Sequence, residues 1–220
     1  MIAVLIPAYN ASASLGILVN RICRYVSSDS VFVVDDGSTD GTASVAAAGG
    51  VTVLQHPSNR GKGAALRTGF GHILEKTAYE WIITLDADLQ HNPDHIPQFM
   101  TRLRLGDCDL LLGRRSRMGN AMPLHRKISN AITSYLVSIR AGVRISDSQC
   151  GYRAISRKVL LGLDVLSDGY EAETEILLRV ARGGFRIGMV PIDTIYGNER
   201  SYMTPWNTTK QFLKVLLREY

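Results

Sequence analysis

Five short β-rich runs, Ile2 to Ile6, Val31 to Asp35, Val51 to Leu54, Trp81 to Asp86 and Asp109 to Gly113, alternate with segments of helical period. Parallel strands need long crossovers, and helices are the usual ones, so this order predicts an α/β fold with a mostly parallel central sheet flanked by helices. Leu15, Leu18, Val19, Ile22 and Val26 form the apolar stripe of one such helix, and Ala64, Ala65, Thr68, Ile73 and Leu74 that of another. After Gly113 the pattern changes. A basic, glycine-containing loop runs to Pro123, a helix is predicted over 124–141, and a polar loop with a short strand over 147–156. A helix around Glu171 to Arg182, a strand at Ile187 to Ile192 and a mobile loop from Tyr196 to Pro205 follow.

In open α/β sheets, ligands settle outside the carboxyl ends of the strands, near a topological switch. Pro7-Ala8-Tyr9-Asn10 follows the first strand, Asp35-Asp36 the second, and Asp86-Ala87-Asp88-Leu89-Gln90 the fourth, which puts all three on one edge. Alternate residues of an extended or turning segment face one way, so Asp86, Asp88 and Gln90 can offer hard oxygen ligands to one cleft. Confined carboxylates repel one another unless a cation joins them, and Mg²⁺ or Mn²⁺ is commonly held by a few carboxylates plus substrate phosphates. Asp35 or Asp36 can accept bonds from a base or ribose, with Tyr9 lining that pocket. The alternative is that both acidic segments are solvated turns that cap the helices after them.

Asn59-Arg60-Gly61-Lys62-Gly63 lies between the third strand and a helix. Its glycines permit close backbone approach, and Arg60 or Lys62 can offset pyrophosphate charge, or simply begin a basic helix. The Gly-Lys-Ser/Thr ending of a P-loop is absent, as is a dinucleotide-binding glycine fingerprint after the first strand. His91 and His95 are four apart but lack a third ligand at diagnostic spacing, so they are expected on the surface or behind the site.

At 220 residues the chain can bury one substantial core. It is expected to form one domain over 1–220, with a nucleotide-binding half at about 1–113, an acceptor half at about 114–205 and an interfacial helix at 206–220. Its apolar stretches fall short of the roughly 20 residues a transmembrane helix needs. The N-terminus enters the first strand without a basic region or cleavage pattern, so a cytoplasmic location is expected. Cys23, Cys108 and Cys150 are odd in number and widely spaced, as structural thiols are. The net charge of +5 permits an anionic partner without choosing one.

Arg114, Arg115, Arg117, Arg126 and Lys127 make a basic mouth, and Arg126 shares a helical face with Ser129 and Asn130. A phosphate suits such a patch better than a neutral sugar. Nucleic acid is not expected, because interleaved aromatics for base stacking are missing. Glu171 and Glu175 share a helical face while Glu173 points elsewhere. One of the three could contact sugar hydroxyls or hold a basic residue. Trp206, Phe212, Leu213, Leu216 and Leu217 with Lys210, Lys214 and Arg218 compose a helix suited equally to a membrane interface, a dimer seam or docking on the core.

Taken together, Pro7-Ala8-Tyr9-Asn10, 34–41, 59–63, Asp86-Ala87-Asp88-Leu89-Gln90, 147–153 and 196–201 resemble the inverting glycosyltransferase family 2 in its GT-A-like fold. The later elements resemble its dolichyl- or polyprenyl-phosphate mannosyl- and glucosyltransferase branch. The resemblance implies that Asp36 contacts the base, that Pro7, Tyr9, Asp35, Arg60 and Lys62 line the nucleotide site, and that Asp86, Asp88 and Gln90 surround the donor diphosphate and metal. It also implies that Arg114, Arg126 and Ser129 receive the lipid phosphate, and that Arg200 approaches from a loop. Asp86, Asp88, Arg114, Arg126 and Arg200 would then carry catalysis. The acidic residue common after the first loop's asparagine is missing, with Ala11 and Ser12 in its place. The branch often carries membrane helices after the catalytic domain. The 220 residues contain none, so peripheral attachment, a membrane-protein partner or a homo-oligomer is expected instead.

The expected reaction is Mg²⁺- or Mn²⁺-dependent transfer of a hexose from a nucleotide sugar, GDP-mannose or UDP-glucose, to a polyprenyl phosphate at the cytoplasmic membrane face. The alternatives are a family 2 transferase acting on a cell-envelope polysaccharide, which needs a general base for a neutral hydroxyl, and a noncatalytic nucleotide-sugar-binding scaffold.

Overall fold

The computed structural model describes residues 1–115, 124–193 and 205–219, with the side chains of 124–126 and 205–208 outside that description. The expected α/β architecture is present. Seven strands, β1 (Ile2–Ala8), β2 (Val31–Asp35), β3 (Thr52–Gln55), β4 (Trp81–Thr84), β5 (Leu110–Arg115), β6 (Arg153–Ser156) and β7 (Ile187–Ile192), form one sheet in the order β3-β2-β1-β4-β6-β5-β7. All neighbours pair in parallel except at β6, which is antiparallel to both β4 and β5.

The helices are α1 (Ser12–Ile22), α2 (Thr42–Ala48), α3 (Lys62–Lys76), α4 (Ile96–Leu103), α5 (Leu124–Ala141), α6 (Arg157–Leu161), α7 (Ala172–Arg182) and α8 (Pro205–Leu217). α1 buries Leu15, Leu18, Val19 and Ile22, and α3 buries Ala64, Ala65, Leu66, Phe70 and Ile73. The central strands are covered on both faces, so they read as continuous apolar runs: every residue of β2 is buried.

β1 runs through Pro7, which was expected in the loop beyond it. Pro7 pairs in register with Val34, while the ladder with β4 ends at Leu5 and Thr84. Leu5 presents its carbonyl to Leu85 on the β4 side, and Pro7, two residues on, faces the same way. The missing Pro7 N–H therefore falls where the ladder has stopped, and the strand loses no bond.

The last helix docks on the core. Phe212, Val215 and Leu216 of α8 are buried, α8 packs on α7 and α5, and Arg140 donates to the carbonyls of Leu216 and Arg218. Of the roles expected for this segment, packing against the domain is the one the structure displays.

Candidate active site

The chain leaves β1 toward β2 and β3, then returns to β4 on the other side of β1. That reversal opens a crevice at the carboxyl ends of β1 and β4. Three loops border it, tied to one another by side chains. Asn10, at φ 48°, donates its N–H to Ser38 Oγ (2.8 Å), while its Oδ1 accepts from Thr39 N–H (3.0 Å). Asp40 accepts from Ser12 N–H at 3.0 Å and from the Thr42 hydroxyl at 2.5 Å, and Thr42 Oγ1 accepts from Ala11 N–H at 2.8 Å. Burial opposes the Asp40 charge, but these donors outweigh it and bring its pKa down to about 2. The start of α1 is thus served by a carboxylate from the neighbouring loop, although Ala11 and Ser12 themselves carry none.

Asp35 and Asp36 face inward. Asp35 accepts from Ser38 N–H and the Gln55 amide, both at 3.1 Å. Asp36, only 3% exposed, accepts from Arg60 N–H (2.9 Å), Gly61 N–H (2.8 Å) and His56 Nδ1 (2.6 Å). Its carboxylate thereby ties the end of β2 to the 56–61 loop. Gly37 belongs to the same joint. At φ +72°, a Cβ there would fall 2.3 Å from the Ser58 carbonyl carbon. Tyr9 and Arg60 are exposed at this rim and Pro7 is buried beneath it.

The glycines of 59–63 approach protein backbone at 167–169. Cβ atoms on Gly61 and Gly63 would meet the carbonyls of Asp168 and Ser167, and Gly63 and Ala64 N–H both donate to Asp168 O. Lys62, the first residue of α3, pairs with Asp86 Oδ1 at 2.5 Å and Glu173 Oε1 at 3.0 Å. Burial works against its ammonium, but the two carboxylates prevail and hold its pKa above the ordinary lysine value. Burial likewise opposes the Asp86 charge, and Lys62 overrides it, bringing that pKa to about 2.

Asp86 through Gln90 form the turn after β4. Asp88 Oδ1 accepts from Gln90 N–H at 3.0 Å, Leu89 takes φ 63°, and Ser14 Oγ donates to Ala87 O at 2.6 Å. A leucine in the left-handed region is strained, here within the turn that holds Asp88 and Gln90. His91 is buried behind the turn, off the surface, and its Nδ1 lies 3.3 Å from Asp86 N–H as acceptor. Burial keeps this imidazole below its usual pKa and hence neutral.

The floor is the 147–153 loop. A Cβ on Gly151 would lie 2.8 Å from Glu173 Oε1 and 2.9 Å from Asp86 Oδ2. Only hydrogen leaves room for the two acids. Arg153, 1% exposed, donates to the carbonyls of Cys150 (2.7 Å), Ser148 (3.0 Å) and Glu173 (2.5 Å). Helical spacing had grouped Glu171 with Glu175, but Glu173 is the acid that reaches the site. Glu175 is buried against Ser167 N–H, Arg179 and Arg218, and Glu171 accepts from Gly169 N–H.

At the end of β5, Arg115 turns inward to Asp147, whereas Arg114, one residue before it, is exposed. Ser129 is exposed, and Asn130 donates to Asp147 Oδ1 at 3.1 Å. The Arg126 side chain and all of Arg200 lie outside the described residues. Among the described residues no group of three or more His, Cys, Asp or Glu side chains is arranged to hold a metal ion. Asp88 and Gln90, on the partly exposed turn, carry hard oxygens of the type that divalent ions take as ligands.

The family model described as glycosyl transferase family 2 matches residues 3–162. An undecaprenyl-phosphate mannosyltransferase of Micrococcus luteus is 34% identical over 199 residues, covering 86% of this chain and 81% of its own. A UDP-N-acetylglucosamine–dolichyl-phosphate N-acetylglucosaminyltransferase of Methanococcus voltae is 30% identical over 222 residues, covering 89% of this chain and 86% of its own. Among solved structures, a glucosyl-3-phosphoglycerate synthase of Mycobacterium tuberculosis with Mn²⁺, UDP and phosphoglyceric acid matches with a TM-score of 0.77. At 24% identity, over 99% of this chain and 77% of that one, it bears on the fold.

Proposed function

The chain belongs to glycosyl transferase family 2, and from that premise we propose that it moves a hexose, mannose or glucose, from a nucleotide sugar to a polyprenyl or dolichyl phosphate with inversion at the anomeric carbon. The observation that carries this reading is the Asp86–Gln90 turn at the switch point, with Lys62 fixed beside it. Asp86, Asp88 and Gln90 would hold Mg²⁺ or Mn²⁺ together with the donor diphosphate. The ion would supply electrostatic stabilisation of the departing diphosphate. Lys62 adds fixed positive charge on the same side, in a site already oriented before reaction. Tyr9 and the sewn loops 9–12 and 36–42 shape the nucleoside pocket.

A phosphate acceptor is favoured over a neutral hydroxyl. Glu173, the carboxylate that shares Lys62 with Asp86, is engaged by that ammonium. A phosphate oxygen is already anionic and needs no general base. The relatives of Micrococcus luteus and Methanococcus voltae are named for polyprenyl- and dolichyl-phosphate acceptors, which supports the same choice.

A lipid acceptor implies contact with a bilayer, and α5 offers the face for it. Ile128, Ile132, Tyr135 and Ile139, with Val143 just beyond the helix, are exposed at a spacing that lines one side. From 110 to 146 the sequence has no Asp or Glu but carries Arg114, Arg115, Arg117, Arg126, Lys127, Arg140 and Arg144. A second copy would bring like charges together, whereas an anionic leaflet accepts both the apolar stripe and its basic flanks. No helix among the described residues is long and apolar enough to cross a membrane.

The test is an acceptor panel: purified protein, Mg²⁺ or Mn²⁺, each nucleotide sugar in turn, and polyprenyl phosphate, free saccharides or protein as acceptor, with products read by mass. Hexosyl phospholipid is the expected product. Transfer only to saccharide would favour the polysaccharide alternative, and donor binding with no transfer would favour a scaffold.

A further inference from the structure

Lys62 stands where three elements meet: its own helix α3, the exit of β4 through Asp86, and α7 through Glu173. Its backbone has little freedom. Asp36 grips Arg60 and Gly61 N–H on one side, and Asp168 O takes Gly63 and Ala64 N–H on the other. The two carboxylates converge over Gly151, and side chains this close repel unless a cation lies between them. The lysine side chain is 13% exposed and reaches both. Tyr170 closes over it, with the ammonium 5.9 Å from the ring centroid. The space between these two carboxylates is therefore filled by a cation of the chain itself.

We infer that Lys62, kept in place by Glu173 as a positioning residue, is a built-in counter-cation for Asp86, so that the free protein binds a divalent cation poorly and takes it up together with a nucleotide diphosphate. The inference rests on the donor reading given above and adds to it the role of these three side chains. An incoming ion must compete at Asp86 with an ammonium that is already tethered. A diphosphate reverses the balance, because its negative charge can use both the ammonium and the ion. Lys62 would then turn from Asp86 toward the leaving group without leaving the site.

Mn²⁺ titration followed by the electron paramagnetic resonance of the free ion tests this, on the whole protein alone and with UDP or GDP. Once the Mn²⁺ held by nucleotide alone is subtracted, the expected wild-type result is at least tenfold weaker Mn²⁺ binding without nucleotide than with it. K62Q should gain tenfold or more in Mn²⁺ affinity without nucleotide, since Asp86 and Glu173 are left to chelate the ion, and K62Q/E173Q should lose most of that gain. Wild-type protein that binds Mn²⁺ equally well with and without nucleotide overturns the inference, as does a folded K62Q with unchanged Mn²⁺ affinity. Circular dichroism establishes folding, and if K62Q does not fold K62M takes its place, with the same gain expected and an unchanged Mn²⁺ affinity again overturning the inference. Calorimetry with UDP and GDP is run separately: if neither binds, the donor reading fails, and the nucleotide-free K62Q result still judges Lys62.

Discussion

Arg115 and Asp147 meet in a two-point pair, Nε to Oδ2 at 2.7 Å and Nη2 to Oδ1 at 2.8 Å, joined by the Arg115 N–H and the Asn130 amide. One buried carboxylate thereby binds β5, α5 and the loop that carries Gly151. Burial opposes the Asp147 charge, and Arg115 overcomes it, keeping this acid below the usual aspartate pKa.

Asp147→Ala should cost about 3–5 kcal/mol, because it leaves the Arg115 charge and the Asn130 amide without their partner. Urea unfolding measures the loss. Arg115→Lys keeps the charge but not the fork, and should cost less. An Arg115→Lys protein as stable as wild type would deny the pair its two-point character.

Asp88→Asn should lower turnover by roughly 10²-fold, the scale of one electrostatic contact to developing charge, and leave the thermal midpoint within a degree or two. Asp86→Asn should lower both, since it also strips Lys62 of a partner. Steady-state rates and melting curves on the same samples separate the two acids. An Asp88→Asn protein with unaltered rate and metal-dependent donor affinity would remove Asp88 from the metal site.

Asp86 also sets an acid limit. Its pKa is about 2 in the fold, against about 3.9 for an unfolded aspartate. Its contribution is thus complete above pH of about 4 and is lost as pH falls toward about 2. The stability gap between wild type and Asp86→Asn, followed by denaturant unfolding, should narrow over that window. A gap that stays constant through it would show that ionised Asp86 contributes no more than its amide.

The membrane face should follow α5. Ile132→Glu with Ile139→Glu should weaken sedimentation with anionic liposomes by tenfold or more and leave the fold intact, since both positions are more than half exposed. Binding that persists through both substitutions, or that needs no anionic lipid, would contradict the assignment.

The parts of this molecule that local sequence announces are those set by local physics. β2 and β7 lie where their apolar runs place them, and α5 spans the predicted 124–141. β6 could be seen as a short strand, but its insertion antiparallel between β4 and β5 depends on long-range pairing that no local pattern encodes. The acidic turn was legible because Asp86, Asp88 and Gln90 end a strand. Glu173 was not, because helical spacing pairs Glu171 with Glu175 and the approach of α7 to Gly151 decides which acid enters. Arg115 was hidden by Arg114 beside it, since which of two neighbours faces inward depends on strand register. Arg153 and Cys150 belong to the resembling 147–153 stretch, but their burial is a tertiary fact. Burial raises the Cys150 thiol to about 12, in keeping with an inert structural thiol.

The most direct measurement of the account is the anomeric configuration of the product. The protein is incubated with Mn²⁺, polyprenyl phosphate and GDP-mannose or UDP-glucose, and the isolated lipid is examined by nuclear magnetic resonance. The expected product is a single hexose joined to the lipid phosphate, with the configuration at the anomeric carbon opposite to that of the donor. A product that retains the donor's configuration, or a hexose found only on a neutral hydroxyl, would contradict it.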